Sequence, residues 1–247
     1  MFPIHDTVPR RNPPLIVWSL IALNTAIFLF ELELPPPAQK WFLYHFGLVP
    51  ARYSDPAWGL MAGLPPWDYL PFLSNMFLHG GWAHLIGNMW TLWLFGSAVE
   101  DRLGRLRFVV FYLACGLMAS GVHYYFNLDA RVPALGASGA IAGVIGAYGS
   151  MFPLARILFV IPIFFFPFFF ELPAMLYAAF WFLLQFLQGT GELLAPRFGG
   201  GIAWWAHVGG FAAGVVLIRI LVPVARRRRG YFPDEGVLGY GPRGEPR

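Results

Sequence analysis

Gly136-Ala137-Ser138-Gly139 and Ala206-His207-Val208-Gly209-Gly210 each open an apolar stretch that reads as a membrane-crossing helix. In both, one chemically capable side chain stands among small residues. A serine and a histidine placed this way have the makings of a nucleophile and its general base. Inside a bilayer neither is needed for structure, and an ionisable group there is costly unless it has a task.

The rest of the chain supports a membrane class. Of its 247 residues, 57% are hydrophobic and 12% charged, about half the charge of a soluble domain. Residues 1–14 are polar, with Arg10 and Arg11, and the apolar run behind them is too long for the core of a signal peptide. The single cysteine, Cys115, excludes an internal disulfide framework. The net charge of +4 comes from basic residues beside apolar runs, so orientation in a bilayer accounts for it better than nucleic-acid binding.

Hydropathy predicts an all-α polytopic membrane protein with six transmembrane helices, at about 15–34, 83–99, 108–126, 136–152, 172–188 and 204–222. The apolar segment 157–170 has only fourteen residues and is broken by Pro162 and Pro167, so it is expected as a membrane-hugging loop rather than a seventh span. Arg10, Arg11, Arg102, Arg105, Arg107, Arg156 and Arg226 to Arg229 then fall on one side. That bias predicts cytoplasmic termini. It divides the chain into a cytoplasmic segment (1–14), a membrane domain (15–222) with a long first outer loop, and a basic, disordered cytoplasmic tail (223–247). In this topology helices 2, 4 and 6 all start on the outer side, which brings His84, Asn88, Ser138 and His207 to one depth.

A serine hydroxyl needs an adjacent base to take its proton, and His207 is the candidate, acting later as acid toward the leaving amine. Contact across 69 residues requires close packing of helices 4 and 6. Gly139, Gly143 and Gly146 on one and Ala206, Gly210 and Gly214 on the other provide small-xxx-small faces for it. The backbone N–H of Ser138, in the first turn of its helix, is a ready oxyanion donor. His84 and Asn88, spaced i, i+4, share one helix face and can add side-chain donors. The nearest acid by sequence, Asp129, lies in a predicted loop, so a Ser-His dyad is expected rather than a triad.

These residues form an ordered set: His79, His84-Leu85-Ile86-Gly87-Asn88, Glu100-x-x-Leu103-Gly104, Gly136-x-Ser138-Gly139 and Ala206-His207-x-x-Gly210-x-x-x-Gly214. In that order the chain resembles the rhomboid intramembrane serine proteases, from about residue 77 to 217. The resemblance implies Ser138 as nucleophile and His207 as base, with His84, Asn88 and the Ser138 N–H as oxyanion hole. It also implies a structural role for His79 and a rhomboid-like bundle in which helix 5 and a cap loop control entry. Its substrates would be transmembrane segments of other proteins, within or beside the lipid bilayer, cut without a cofactor. Two features depart from the pattern. Ala142 stands where some relatives carry a tyrosine packed on the histidine, and the first-loop Trp-Arg pair of some members is not evident.

Simpler readings compete at each position. Ser138 alone reads equally as a helix cap or a packing residue. Trp58, Trp67, Trp82, Trp204 and Trp205 read as interfacial anchors. Helix 5, with Phe180, Trp181, Phe182 and Phe186, suits a loosely packed gate or a lipid-facing helix alike. A metal site from His79 and His84 lacks the spacing and the carboxylate, so none is expected. A catalytically dead member of the fold would usually lack the serine or the histidine. A transporter would normally show intramembrane charge or inverted repeats. A six-span core without extra helices points to a bacterial plasma membrane. The oligomeric state is not legible.

Overall fold

The computed structural model describes residues 2–163, 166–194 and 203–222. The basic tail over 223–247 lies outside the described residues. The described chain is mostly helical. It opens with strand β1 (Phe2–Asp6) and helix α1 (Leu15–Glu33), followed by α2 (Pro36–Phe46) and three short helices, α3 (Ala51–Ser54), α4 (Pro56–Met61) and α5 (Pro71–Ser74). Then come α6 (Trp82–Thr91), a π-helical turn over Leu92–Gly96, α7 (Ser97–Leu103), α8 (Arg105–Phe126) and α9 (Ser138–Met151). Strands β2 (Arg156–Ile163) and β3 (Phe166–Pro173) lead into α10 (Ala174–Leu194) and α11 (Trp204–Leu221).

Three of these helices, α1, α8 and α11, are long and apolar enough to cross a membrane, with mean hydropathies of 2.0, 1.5 and 1.5. The others depart from that profile for local reasons. Helix α9 has 14 residues, about 21 Å at 1.5 Å per residue, and Gly139 through Gly149 are all buried within the protein. Helix α10 is long enough but carries Gln185, Gln188 and Glu192. The run α6–α7 is interrupted by its π turn.

The segment 157–170 is not the loop expected from its prolines. It is an antiparallel β-hairpin in which Pro162 sits opposite Pro167. Placed near the end of the paired residues, neither proline has to donate within a long ladder. Ile157 and Phe159 are buried, and Phe159 stacks on Phe170 with ring centroids 5.4 Å apart. Strand β1 pairs with the other edge of β2, Phe2 against Val160, so the sheet order is β1-β2-β3. The N-terminal segment is therefore partly a strand. Apolar alternation in 2–6 and 157–170 is too short to register against the stronger helical signal.

Polar contacts fix the helices end to end. The Glu100 carboxylate accepts from the backbone N–H groups of Ile16 and Val17 at 3.0 and 2.9 Å, an acid set on the positive end of α1. Arg10 pairs with Asp6 at 2.7 Å and donates to the Leu94 carbonyl at 2.8 Å. At the opposite end of α1, Phe28 meets Trp82 edge-on at 5.0 Å. Helices α1 and α6–α7 thus run antiparallel. Gly104, at φ 78°, makes the sharp turn into α8 that a side chain would resist.

Helices α9 and α11 run parallel and nearly touch backbone to backbone. A β-carbon on Gly210 would strike the Gly139 carbonyl, and one on Gly214 the Gly143 carbonyl. Helix α8 closes the third side, with Ala119 against Gly139 and Cys115 against Gly143. Tyr112, Cys115 and Val144 lie in the core around this seam, fully buried.

Candidate active site

Ser138 is the first residue of α9, and Gly136 is what lets the chain arrive there. Its φ is 122°, in the region that favours glycine, and a β-carbon would meet the His84 ring at 2.6 Å and the Asn88 amide at 3.5 Å. The approach to the serine is therefore built against both residues of the α6 pair. The Gly136 N–H donates to the Asn75 carbonyl at 2.9 Å, fixing the loop from below. Because α9 starts at Ser138, its first N–H groups have no acceptor within the helix.

His207 lies in the first turn of α11, and its Nε2 is 2.8 Å from Ser138 Oγ. The glycine-to-carbonyl contacts along α9 and α11 set that separation. The other ring nitrogen, Nδ1, is 2.7 Å from Gln185 Oε1 on α10. Since a Gln carbonyl oxygen can only accept, Nδ1 carries the proton and Nε2 is left to accept from the serine. Trp181 and Trp204 flank the imidazole at centroid distances of 5.7 and 6.2 Å. With Ala142 in place of a tyrosine, Gln185 and these tryptophans hold the ring.

Asn88 Nδ2 lies 3.1 Å from His79 Nε2. The amide donates one N–H to the imidazole, which orients it and leaves a second N–H free to donate. Burial, reinforced by nearby His84, pushes the His79 imidazole down to about 4, so it stays neutral and able to accept. His79 and His84 pack edge to face at 5.2 Å. Among the described residues no group of His, Cys, Asp and Glu is arranged to hold a metal.

Gly139 faces Ala119 and Ala206, and Gly143 faces Cys115 and Gly210. Beside Ser138 lies a cavity of about 20 Å³, lined in part by Asn75, Ser120, His123 and Gly136. Most of its lining is apolar, but these polar side chains reach it, and it has room for one water. The segment between α1 and α6 is anchored by a fully buried guanidinium. Arg52 donates to the Pro65 carbonyl at 2.8 Å and pairs with Asp68 at 2.8 Å. A different arginine thus braces the loop where the family's Trp-Arg pair is not evident. Trp205 is no interfacial anchor: it is buried and stacks on Phe126 at 3.9 Å.

Sequence reasoning missed Gln185 and Arg52. For Gln185 a signal existed, a lone amide inside the apolar run Phe180–Phe186, which needs a partner at that depth.

A family model described as a Rhomboid domain matches residues 66–224. Among curated relatives, the chain is 28% identical over 212 residues to "Rhomboid protein 1, mitochondrial" of Saccharomyces cerevisiae, covering 84% of this chain and 53% of that protein. It is 31% identical over 143 residues to "Presenilin-associated rhomboid-like protein A, mitochondrial" of Danio rerio, covering 57% of this chain and 33% of that one. A shorter match, 44% identical over 80 residues, is to "Rhomboid protease GluP" of Bacillus subtilis, covering 32% and 15%. The chain thus spans about half of the yeast relative and a third of the fish one. These names overturn the expectation of a bacterial plasma membrane with cytoplasmic termini, because the relatives matched over 212 and 143 residues are mitochondrial. Hydropathy and arginine bias report spans and sidedness, not which organelle's bilayer is crossed.

Proposed function

The chain belongs to the rhomboid family, and from that membership we propose that it is an intramembrane serine endopeptidase acting through Ser138 and His207. The observation that carries the reading is the 2.8 Å contact between Ser138 Oγ and His207 Nε2, with Nδ1 engaged elsewhere. In the reaction, His207 takes the hydroxyl proton as Ser138 attacks the scissile carbonyl. The oxyanion is met by the Ser138 N–H, the free N–H of Asn88 and the His84 ring. His207 then protonates the leaving amine. A water, for which the small cavity beside Ser138 has room, hydrolyses the acyl-enzyme with the histidine again as base.

The same reading covers the architecture. α1, α6–α7, α8, α9, α10 and α11 are six spans, and the stretch between α1 and α6 is a long first loop. Residues 1–14 and 223–247 flank a membrane domain of residues 15–222. Gly136, Gly139, Gly143, Ala206, Gly210 and Gly214 support the pair by close approach, and His79 supports it through Asn88. Substrates are transmembrane segments of other proteins, preferentially ones weakened by Gly, Pro or polar residues, since an intact helix keeps its peptide bonds hydrogen-bonded. By the names of the relatives matched over most of the chain, a mitochondrial membrane is the one to test first.

The test is cleavage of a model transmembrane substrate by purified, detergent-solubilised protein, with Ser138→Ala and His207→Ala alongside. Cleavage by the wild type alone, with both variants folded, supports the assignment. Equal cleavage by all three removes it, and no cleavage by any across several substrates shifts the reading to a binding module for membrane segments.

A further inference from the structure

Gln185 is the one described polar side chain of α10 that hydrogen-bonds another helix, and it does so at His207. Both residues are 8% exposed. Gln185 Oε1 lies 2.7 Å from Nδ1 of the imidazole, on the side away from Ser138. Around it the contact between α10 and α11 is built on rings: Phe182 on Phe211 at 4.8 Å, Trp181 on Phe211 at 6.2 Å, Phe186 on Trp205 at 6.0 Å, and Gly189 close against Trp205. Such packing holds a helix by area, without fixing the rotation of one ring or the position of one proton. The amide does both.

We propose that Gln185 is the positioning residue for His207, a neutral third member of the Ser138–His207 arrangement supplied by α10. The inference rests on the protease reading. The chemistry has two parts. A neutral imidazole carries its proton on either nitrogen, and only the Nδ1–H tautomer can accept from the serine. By accepting at Nδ1, Gln185 selects that tautomer and fixes the ring plane toward Ser138 Oγ. An acid in the same place would also stabilise the imidazolium formed during attack, whereas an amide oxygen does so by its dipole alone. The aromatic rings flanking the imidazole leave its Nδ1 edge open, and Gln185 occupies that edge. The geometry also makes activation conditional on α10: when that helix moves away from α11, the imidazole loses the group that selects its tautomer.

The experiment compares wild type, Gln185→Met, Gln185→Glu and Ser138→Ala for substrate cleavage and for labelling by a fluorophosphonate probe, with folding followed by thermal denaturation. Gln185→Met keeps the bulk and removes the acceptor. It is expected to lower kcat and the labelling rate roughly 10-fold, with KM changed by less than about 2-fold. Gln185→Glu places a carboxylate on Nδ1 and is expected to move the acid limb of the kcat–pH profile up by about one pH unit. A position 185 out of contact with Nδ1 would not shift that limb, and the loss of kcat in Gln185→Met then separates positioning from mere proximity. Wild-type kcat and labelling in Gln185→Met overturn the proposal, and so does an unmoved acid limb in Gln185→Glu. Should Gln185→Met fail to fold, Gln185→Glu alone decides. Failure of the underlying protease reading is distinct: Ser138→Ala would then cleave, or escape loss of labelling, whatever position 185 does.

Discussion

The two surfaces that α11 presents to its neighbours differ in kind. Toward α9 it offers Gly210 and Gly214, each placed where a β-carbon would collide with a backbone carbonyl. Toward α10 it offers Trp205, His207 and Phe211, which meet rings and one amide at ordinary contact distances. On the first surface the backbones themselves set the distance, so displacement costs dense packing and has no smooth path. On the second, side-chain rotamers set it, so the helix can shift and re-pack. His207 stands where the two surfaces meet: its Nε2 reaches Ser138 across the rigid one and its Nδ1 reaches Gln185 across the adaptable one.

The contrast breaks most severely if a loss on the fixed side is tolerated. Beside that side, on α6, removing the amide in Asn88→Ala is expected to cost about 100- to 1,000-fold in kcat, the usual toll for one oxyanion donor, with a stability loss of about 1–3 kcal/mol because buried His79 loses its partner. Gly210→Val should separate α9 from α11 and lower kcat by roughly 100-fold through misplacement, while destabilising the protein by about 1–3 kcal/mol. Thermal denaturation together with a cleavage assay reads both. A Gly210→Val protein with wild-type activity would show that the seam does not set the Ser138–His207 distance.

On the adaptable side the expected effects are small. Phe182→Ala removes a ring from the face of Phe211, yet kcat should stay within about 3-fold because neither reacting atom moves. A loss as large as that of Gly210→Val would erase the distinction between the surfaces.

Acid tests the support behind Asn88. His79 is held neutral in the folded protein, with its imidazole pushed down to about 4 from 6.5. The unfolded chain binds a proton there first, so stability present above about 6.5 declines as pH falls toward 4 and levels off below. Melting temperature against pH should show that decline, and His79→Gln, which keeps an acceptor for Asn88, should flatten part of it. Cleavage should fall with acid for another reason, protonation of His207 itself; activity that stays level into acid with folding intact removes the histidine as base.

The contact of Ser138 with His207 was legible because glycine spacing reports backbone approach directly: Gly139, Gly143, Gly210 and Gly214 are the residues that meet. Gly136 was legible for the same reason, since only a residue without a β-carbon fits beneath His84. Gln185 was not, because its partner lies 22 residues away on another helix and nothing in the apolar period of α10 says which face meets α11. Arg52 is hidden because the stretch between α1 and α6 reads as a loop, where an arginine is ordinarily solvated, although it folds as the short helix α3. The hairpin is not legible because prolines read as breakers until the register places Pro162 opposite Pro167.

The sheet imposes a parity rule on the membrane. β1 and β2 are hydrogen-bonded neighbours, Phe2 beside Val160 and Asp6 beside Ile157, so both must emerge on the same side. The chain between Asp6 and Arg156 therefore crosses the bilayer an even number of times, whichever compartment lies on that side and however the charges are arranged. Four crossings, by α1, α6–α7, α8 and α9, satisfy the rule; three or five do not. A tag at residue 2 and one near residue 156 must be protected or exposed together in intact vesicles.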